Sequence, residues 1–351
     1  MLVSLFIVFC SPAVQAVSVD RLQRPALPSA LAQHSLLLDI AHAEQQLIAV
    51  GERGHILRSN DGGLHWQQAA VPVSVTLTAV ALADAEYAWA VGHDGVVLAS
   101  HDGGQSWALQ LDGRRLNELV VNHYQALQGL IDSGQGDELD PDTIAFGLDD
   151  ALLARDEGPS KPLLDLYFID RNRGWVVGAY GLFLRTDDGG HSWQPAMEQL
   201  DNPDNFHLNA ITRQQGALLI AGEAGVLFRS LDEGQRWERL EVGYEGPLFS
   251  AMATAEAQGF LLSGLRGRLF HSNDGGDSWE AIETATRSTL NAATPLQEGG
   301  LLAVGNGGAV LYAAPGSDHF TVRMQPQRQS YTGVIEVTAG ELVMVGQKGV
   351  S

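Results

Sequence analysis

SNDGGLHW, residues 59–66, sets a hydroxyl, an aspartate and two glycines ahead of a tryptophan, and the chain says it again four times. The recurrences are SHDGGQSW (100–107), TDDGGHSW (186–193), SLDEGQRW (230–237) and SNDGGDSW (272–279). Trp66 and Trp107 are 41 residues apart, Trp193 and Trp237 44, and Trp237 and Trp279 42, while the 86 between Trp107 and Trp193 make about two periods. A period of roughly 40–50 residues is that of propeller blades, each a four-stranded sheet.

A second motif extends the count. Five residues before each Ser or Thr lies the second glycine of a G-x-x-G turn: Gly51/Gly54, Gly92/Gly95, Gly178/Gly181, Gly222/Gly225 and Gly264/Gly267. The series continues with Gly305/Gly308 and Gly346/Gly349, making seven units. In the sixth, APGSDHF replaces the Asp turn and Phe320 keeps the aromatic place. Within a unit, LNAITR, ALLIAGE and GVLFRS (208–230) read as three short strands, and the fourth starts at Trp237. Strand one then lines the axis, G-x-x-G joins strands two and three with glycine at positive φ, and the Asp turn joins three and four. Antiparallel order puts the two turn types on opposite faces. The fold expected is all-β, a seven-bladed propeller over 17–351 with one helical insert.

Every part of the Asp turn has a structural task. The aspartates Asp61, Asp102, Asp188, Asp232 and Asp274 can accept hydrogen bonds from their own turns. The tryptophans Trp66, Trp107, Trp193, Trp237 and Trp279 can each bury about 150–250 Å² between blades. A catalytic site would break the symmetry that this motif keeps. An EF-type calcium loop is excluded, because it needs alternating oxygens and a distal Glu within twelve residues.

The bulk numbers agree. With 45% apolar residues in 351 the chain can build a core, and its 40 glycines imply frequent turns. The net charge of −21, with Lys161 and Lys348 the only lysines, excludes the basic stripe of a nucleic-acid binder and disfavours an anionic membrane surface. Residues 1–16, MLVSLFIVFCSPAVQA, have the apolar run and small-residue end of a secretory signal, too short to span a bilayer. Cleavage after Ala16 would remove Cys10, leaving a periplasmic chain without thiol chemistry and without direct membrane insertion.

The S/T-x-D-x-G-x-x-W turn is similar to the Asp box, or BNR repeat, of sialidases and other secreted propellers. The fuller units AWAVGHDGVVLASHDGGQSW (88–107) and GWVVGAYGLFLRTDDGGHSW (174–193) resemble the photosystem II stability and assembly factor family over roughly 35–351. The resemblance implies a cofactor-free propeller that binds protein partners of a membrane-protein complex in the envelope, in photosynthetic relatives photosystem II. Those relatives present basic partner-binding surface, whereas this chain is acidic and carries an insert.

That insert, residues 111–160, holds eleven acids against three arginines. Leu116, Leu119, Val120, Tyr124, Leu127, Leu130 and Ile131 fall at the spacing of an amphipathic helix, followed by acidic loop and a short helix. It is either decoration packed on the disc or a partner-docking element sharing a face with the G-x-x-G turns. Those turns carry varied side chains, and Arg53, His93, Asp94, Tyr180, Glu223, Arg266 and Lys348 are the candidate partner contacts. Variation there suits binding and suits unconstrained loops equally. Residues 21–34 are placed to supply the outer strand missing from the last unit, with Pro25 and Pro28 suited to an edge.

No metal cluster or hydrolase motif is visible. The alternative to a scaffold is a glycan-binding or glycan-cleaving, sialidase-like propeller. Arg58, Arg185 and Arg229 resemble that family's arginine triad on paper but occupy the same outer-strand place in three blades, suited to solvent-facing stems. Tyr244–Glu245 are neighbours in sequence, with nothing to place them at the axis. Convergence of carboxylates and arginines at the central channel separates the two readings. Mass spectrometry of the native protein is expected to find Val17 at the amino terminus; an intact Met1 on a cytoplasmic product would contradict the signal.

Overall fold

The computed structural model describes residues 20–317 and 319–351, so the proposed signal segment lies outside the described residues. Seven antiparallel sheets follow one another along the chain, six of four strands and a last of three, each with its strands in sequence order. Their innermost strands are Leu37–Ala43, Leu77–Leu82, Leu163–Phe168, Leu208–Gln214, Leu248–Ala253, Leu290–Pro295 and Tyr331–Thr338. Each packs beside the next, and the seventh packs beside the first, which closes a ring.

No blade has a core of its own. The buried apolar side chains fall into seven clusters, each shared by two adjacent blades. The closing cluster joins Ile335 and Val345 of blade 7 to Leu37, Ile40 and Leu47 of blade 1. Second strands of blades 1 to 6 are buried on both faces, as in GWVVG at Gly174–Gly178, because each lies between two neighbouring sheets.

The Asp turns are local locks. In the first, Ser59 Oγ donates to Asp61 Oδ1 at 2.7 Å and accepts from Gly63 N at 2.9 Å. Asp61 Oδ1 also accepts from His65 N at 3.0 Å, and Trp66 Nε1 donates to Gly63 O at 3.0 Å. The Ser/Thr–Asp bond recurs at 2.8, 2.9, 2.9 and 2.7 Å in the other four boxes. Trp107 and Trp193 are buried, whereas Trp66, Trp237 and Trp279 are half-buried. Partner N–H groups hold Asp61 down to about 2, the His65 backbone bond foremost.

The last sheet is corrected from expectation. Its outer strand is Gly349–Val350, paired to Glu341–Gly346, and residues 21–34 do not extend it. They form instead a strap across the G-x-x-G face. Ala26 N donates to Val71 O at 3.0 Å, Ser74 N to Arg21 O at 3.0 Å, and the short helix Ala32–His34 sits against Gly349. Leu22 anchors the strap in the cluster of blades 1 and 2. With Pro25 and Pro28 removing donors, the segment crosses turns rather than pairing along an edge.

The insert is a helical hairpin, α1 (Gly113–Asp132) and α2 (Pro141–Glu157). Asp112 caps α1 by accepting from Arg115 N at 3.0 Å. The second helix is longer than the sequence pattern suggests, because Asp140 caps it through Thr143 N and Pro141 starts it. Asn117 Nδ2 ties the helices together at Ala154 O, 2.8 Å away. Leu116, Val120, Val121 and Tyr124 enter the cluster shared by blades 2 and 3, so α1 is part of the core.

Asp188→Ala removes the acceptor for Ser192 N at 2.8 Å and for the Thr186 and Ser192 hydroxyls. It is expected to destabilise the fold by about 1–3 kcal/mol in denaturant melts without selectively removing partner binding. Wild-type melting with binding abolished would make the turn functional instead.

Candidate functional site

Two regions of the ring present chemistry: the G-x-x-G face and the central channel. On the face, the turn in each of blades 1 to 6 is one turn of 3-10 helix whose middle residue is left-handed. Arg53, Asp94, Tyr180, Ala224, Arg266 and Gly307 all have φ between 54° and 66°. The fixed backbone projects this variable side chain at the same place in successive blades, and a bulky residue there is strained. Lys348 holds the corresponding place in blade 7.

The candidates separate by environment. Arg53, His93, Tyr180, Arg266 and Lys348 are exposed. Asp94 is not available: it is 7% exposed and paired with Arg21 of the strap at 3.0 Å. Glu223 accepts from His207, Nδ1 to Oε2, at 2.6 Å, and this bond holds its carboxyl below the usual range. Tyr180, 53% exposed, stands 5.0 Å from the His207 ring with Lys161 5.4 Å over its own. Tyr180, His207, Lys161 and Glu223 therefore form one polar-aromatic patch; His207 and Lys161, outside any repeated motif, gave no sequence signal.

The hairpin meets this face where α1 starts and where Asp150 of α2 pairs with Lys161 at 3.6 Å. Gly95 of the blade 2 turn abuts Gly113 and Leu116, and α1 then runs along the outermost strand of blade 3. Two side chains on the opposite side of α2 stand in solvent, Phe146 at 61% and Leu153 at 57% exposed. They are two helical turns apart, with Asp142, Asp149, Asp156 and Glu157 exposed around them.

The channel is lined by all seven inner strands and encloses about 450 Å³. It holds two carboxylates that the repeat pattern did not single out. Asp39 Oδ1 accepts from Ile40 N at 2.8 Å and Oδ2 from Val80 N of the next blade at 2.9 Å. Asp165 repeats this with Leu166 N and Ile211 N, both at 2.8 Å. Burial pushes Asp39 up to about 6; burial and then the nearby Asp39 charge push Asp165 up to about 8.

The arginines are elsewhere. Arg58 Nη1 reaches Gly103 O at 3.4 Å, and Arg185 bonds Gln194. Arg229 is buried against Glu238 and Asp277 and bonds Gly275 O at 2.8 Å. The expectation of solvent-facing stems therefore fails for Arg229, which bridges to the Asp turn of the next blade. Tyr244 packs on Phe270 in the connection between blades 4 and 5. No arginine lines the channel among the described residues.

The geometry defines a seven-bladed β-propeller with a decorated turn face and a channel whose acids are bonded into its wall. The family described as photosynthesis system II assembly factor YCF48 matches residues 23–117 and 157–347, and the chain belongs to it. A photosystem II assembly lipoprotein Ycf48 of Synechococcus sp. (strain CC9902) is 34% identical over 99 residues, 27% of this chain and 30% of the relative. The chloroplastic stability/assembly factor HCF136 of Arabidopsis thaliana is 29% identical over 93 residues, 25% and 23% of the two chains. The chain thus aligns to less than a third of these curated relatives' length. A solved structure described as YCF48 bound to D1 peptide superposes with TM-score 0.63 at 16% identity, covering 93% of this chain and 97% of that one. The WD40 propeller domain of Doa1 gives 0.62 at 12% identity, covering 94% of each, so these likenesses establish the fold.

The channel acids set a pH dependence opposite to the usual one. A carboxyl raised in the folded state contributes stability below its unfolded value near 4, and loses it as pH rises through its folded value. His42, lowered by burial in the same channel, acts in the opposite sense below about 7. Denaturant stability is therefore expected to fall as pH rises toward 8, most clearly above about 7 where His42 no longer opposes it, and to level off beyond; Asp165→Asn should flatten that limb. An unchanged limb in the variant would remove Asp165 as its cause.

Proposed function

We propose that this chain is a non-enzymatic, cofactor-free scaffold, exported by residues 1–16 to the periplasm, that holds a protein partner while an envelope membrane-protein complex is assembled. The supporting observation is where the family match stops. It breaks between 117 and 157, the segment that builds most of the hairpin. The ring is the family's, and the added element carries an apolar pair in an acidic frame that the fold does not cover.

A helix apolar on two faces has a partner for each; α2 uses one against α1 and leaves Phe146 and Leu153 for another molecule. Its acids favour a partner with cations around an apolar groove, and repel both an anionic bilayer and a second copy of the same helix. Arg53, His93, Tyr180, Glu223, Arg266 and Lys348 would supply the contacts on the turn face. That a YCF48 structure holds a D1 peptide supports a protein segment as the ligand; photosystem II itself is the partner of the photosynthetic relatives by name.

Among the described residues no helix is long and apolar enough to cross a membrane, which leaves contact with a membrane complex to these surfaces. Replacing the whole hairpin would also strip Leu116, Val120 and Tyr124 from the core, so the test is narrower. A photo-crosslinker at position 146 or 180, in the native envelope, is expected to join a partner whose contact peptide is basic and apolar. Phe146→Ser with Leu153→Ser should leave melting unchanged and cut that capture at least tenfold. Undiminished capture by the double variant would make the hairpin ornament and return attention to the turn face.

A further inference from the structure

The strap and blade 1 enclose a cavity of about 580 Å³ on the G-x-x-G face, lined by Arg24, Leu27, Pro28, Ser29, Leu31, Ser35, Arg53, His55 and Ser74. We propose that this cavity is a binding site for a carboxylate carried on an apolar chain, its head between Arg24 and Arg53 at His55 and its chain along Leu27, Pro28 and Leu31.

Charge supports the head group. In a chain of net charge −21 two of the arginines near the strap are neutralised: Arg21 meets Asp94 at 3.0 Å and Arg114 meets Asp20 at 2.8 Å. Arg24 meets no acid among the described residues, and Arg53 approaches only Glu52, loosely, at 3.9 Å. Glu52 is itself engaged, its Oε1 accepting from Leu36 N at 3.2 Å. Two guanidinium groups that face one cavity without a carboxylate of their own suit a carboxylate from outside.

His55 is the independent observation. It lines the cavity at 5% exposure, and its Nδ1 has no hydrogen-bond partner among the described residues. Burial lowers its pKa, so the ring is neutral, and a neutral imidazole carrying its proton on Nδ1 has one N–H to give. A buried orphan donor costs stability, and an incoming carboxylate oxygen satisfies it.

Shape supports the chain. Leu27 and Leu31 are large apolar side chains left exposed at 60% and 68%, and Pro28 stands between them. The strap holding them is tied down on both sides: Ser29 N donates to Gln68 Oε1 at 2.8 Å, and Gln68 Nε2 donates to Leu27 O at 3.0 Å. The wall is therefore preformed, and Arg53 lines the cavity from a left-handed backbone, φ 57°.

One ligand chemistry here has two sources, a fatty acyl carboxylate or the carboxy-terminus of a peptide ending in an apolar residue. Calorimetric titration of the full protein uses octanoate, N-acetyl-Ala-Leu with a free carboxylate, its carboxamide, and inorganic phosphate. Binding of octanoate, of the free-carboxylate peptide or of both is expected, with the carboxamide at least tenfold weaker than its acid. Octanoate alone assigns the acyl source, and the peptide alone assigns the peptide source. Arg24→Gln with Arg53→Asn should weaken binding at least tenfold at unchanged melting temperature, asparagine being tolerant of the left-handed region. Failure of both carboxylate ligands, carboxamide binding equal to acid, phosphate binding as tightly as either, or undiminished binding by the double variant overturns the proposal.

Discussion

Everything in the ring hangs on one close approach, between the first glycine of each G-x-x-G turn and the carbonyl just before the inner strand. A Cβ on Gly51, Gly92, Gly178, Gly222, Gly264, Gly305 or Gly346 would lie 2.0–2.8 Å from the oxygen of Leu36, Thr76, Pro162, His207, Pro247, Thr289 or Ser330. No side chain fits at that separation. The same oxygen accepts the N–H of the residue after the glycine, as Glu52 N to Leu36 O at 3.0 Å and Gln347 N to Ser330 O at 3.0 Å. The contact fixes where each inner strand starts relative to its second strand, and thereby where every side chain enters the inter-blade clusters. It recurs in all seven blades, whereas the Asp box occurs in five. The box locks a turn; the glycine contact sets the register of the blade.

This explains which parts of the molecule could be read from sequence. Period, blade number, strand order and the division of turns between two faces follow from repeated local contacts, each visible within a window of about 20 residues. The reason given to the glycines was half complete. The second of each pair does take positive φ, Gly54 at 73° among them, but the first is extended, Gly51 at −174°, and is required by crowding instead. What could not be read depends on contacts far apart in sequence. Asp94 looks like a free turn acid until Arg21 covers it, and Arg229 looks like a solvent stem until it reaches Asp277. The strap was expected to pair because an open edge suggested it; Val71 and Ser74, which it bonds instead, belong to a connection with no distinctive pattern.

The departures from symmetry are contiguous. The strap lies over blades 7, 1 and 2, the hairpin continues over 2 and 3, and the two meet where Asp20 binds Arg114 at 2.8 Å. Both are anchored by apolar side chains, Leu22 in one cluster and Leu116, Val120 and Tyr124 in another, so neither is a loose appendage. A ring that repeats one structural solution has little freedom to vary its interior. Specificity is therefore concentrated where the backbone holds a side chain away from the ring: the left-handed turn residues, the cavity under the strap and the outer face of α2.

The channel carboxylates belong to the ring rather than to that specific surface. A bulge near the start of all seven inner strands leaves a side chain free to reach the neighbouring blade. Thr78 Oγ1 donates to Leu163 O at 2.7 Å, Asn209 Nδ2 to Leu248 O at 2.8 Å, Asn291 Nδ2 to Tyr331 O at 2.7 Å and Thr332 Oγ1 to Leu37 O at 2.8 Å. Ser263 Oγ does the same for Leu290 O from a second strand, at 3.1 Å. Blades 1, 3 and 5 have Leu38, Leu164 and Phe249 where the others have Thr or Asn, and cannot donate from that place; in blade 5 Ser263 takes over. In blades 1 and 3 the next residue is Asp39 or Asp165, and the bond runs in reverse, from Val80 N and Ile211 N into the carboxylate. Each of the seven interfaces is thus stitched once by a side chain near the axis. The two backbone N–H groups that each carboxyl accepts hold its pKa down, yet burial outweighs them, so the raised pKa of these acids records the cost of placing charge at the closed axis.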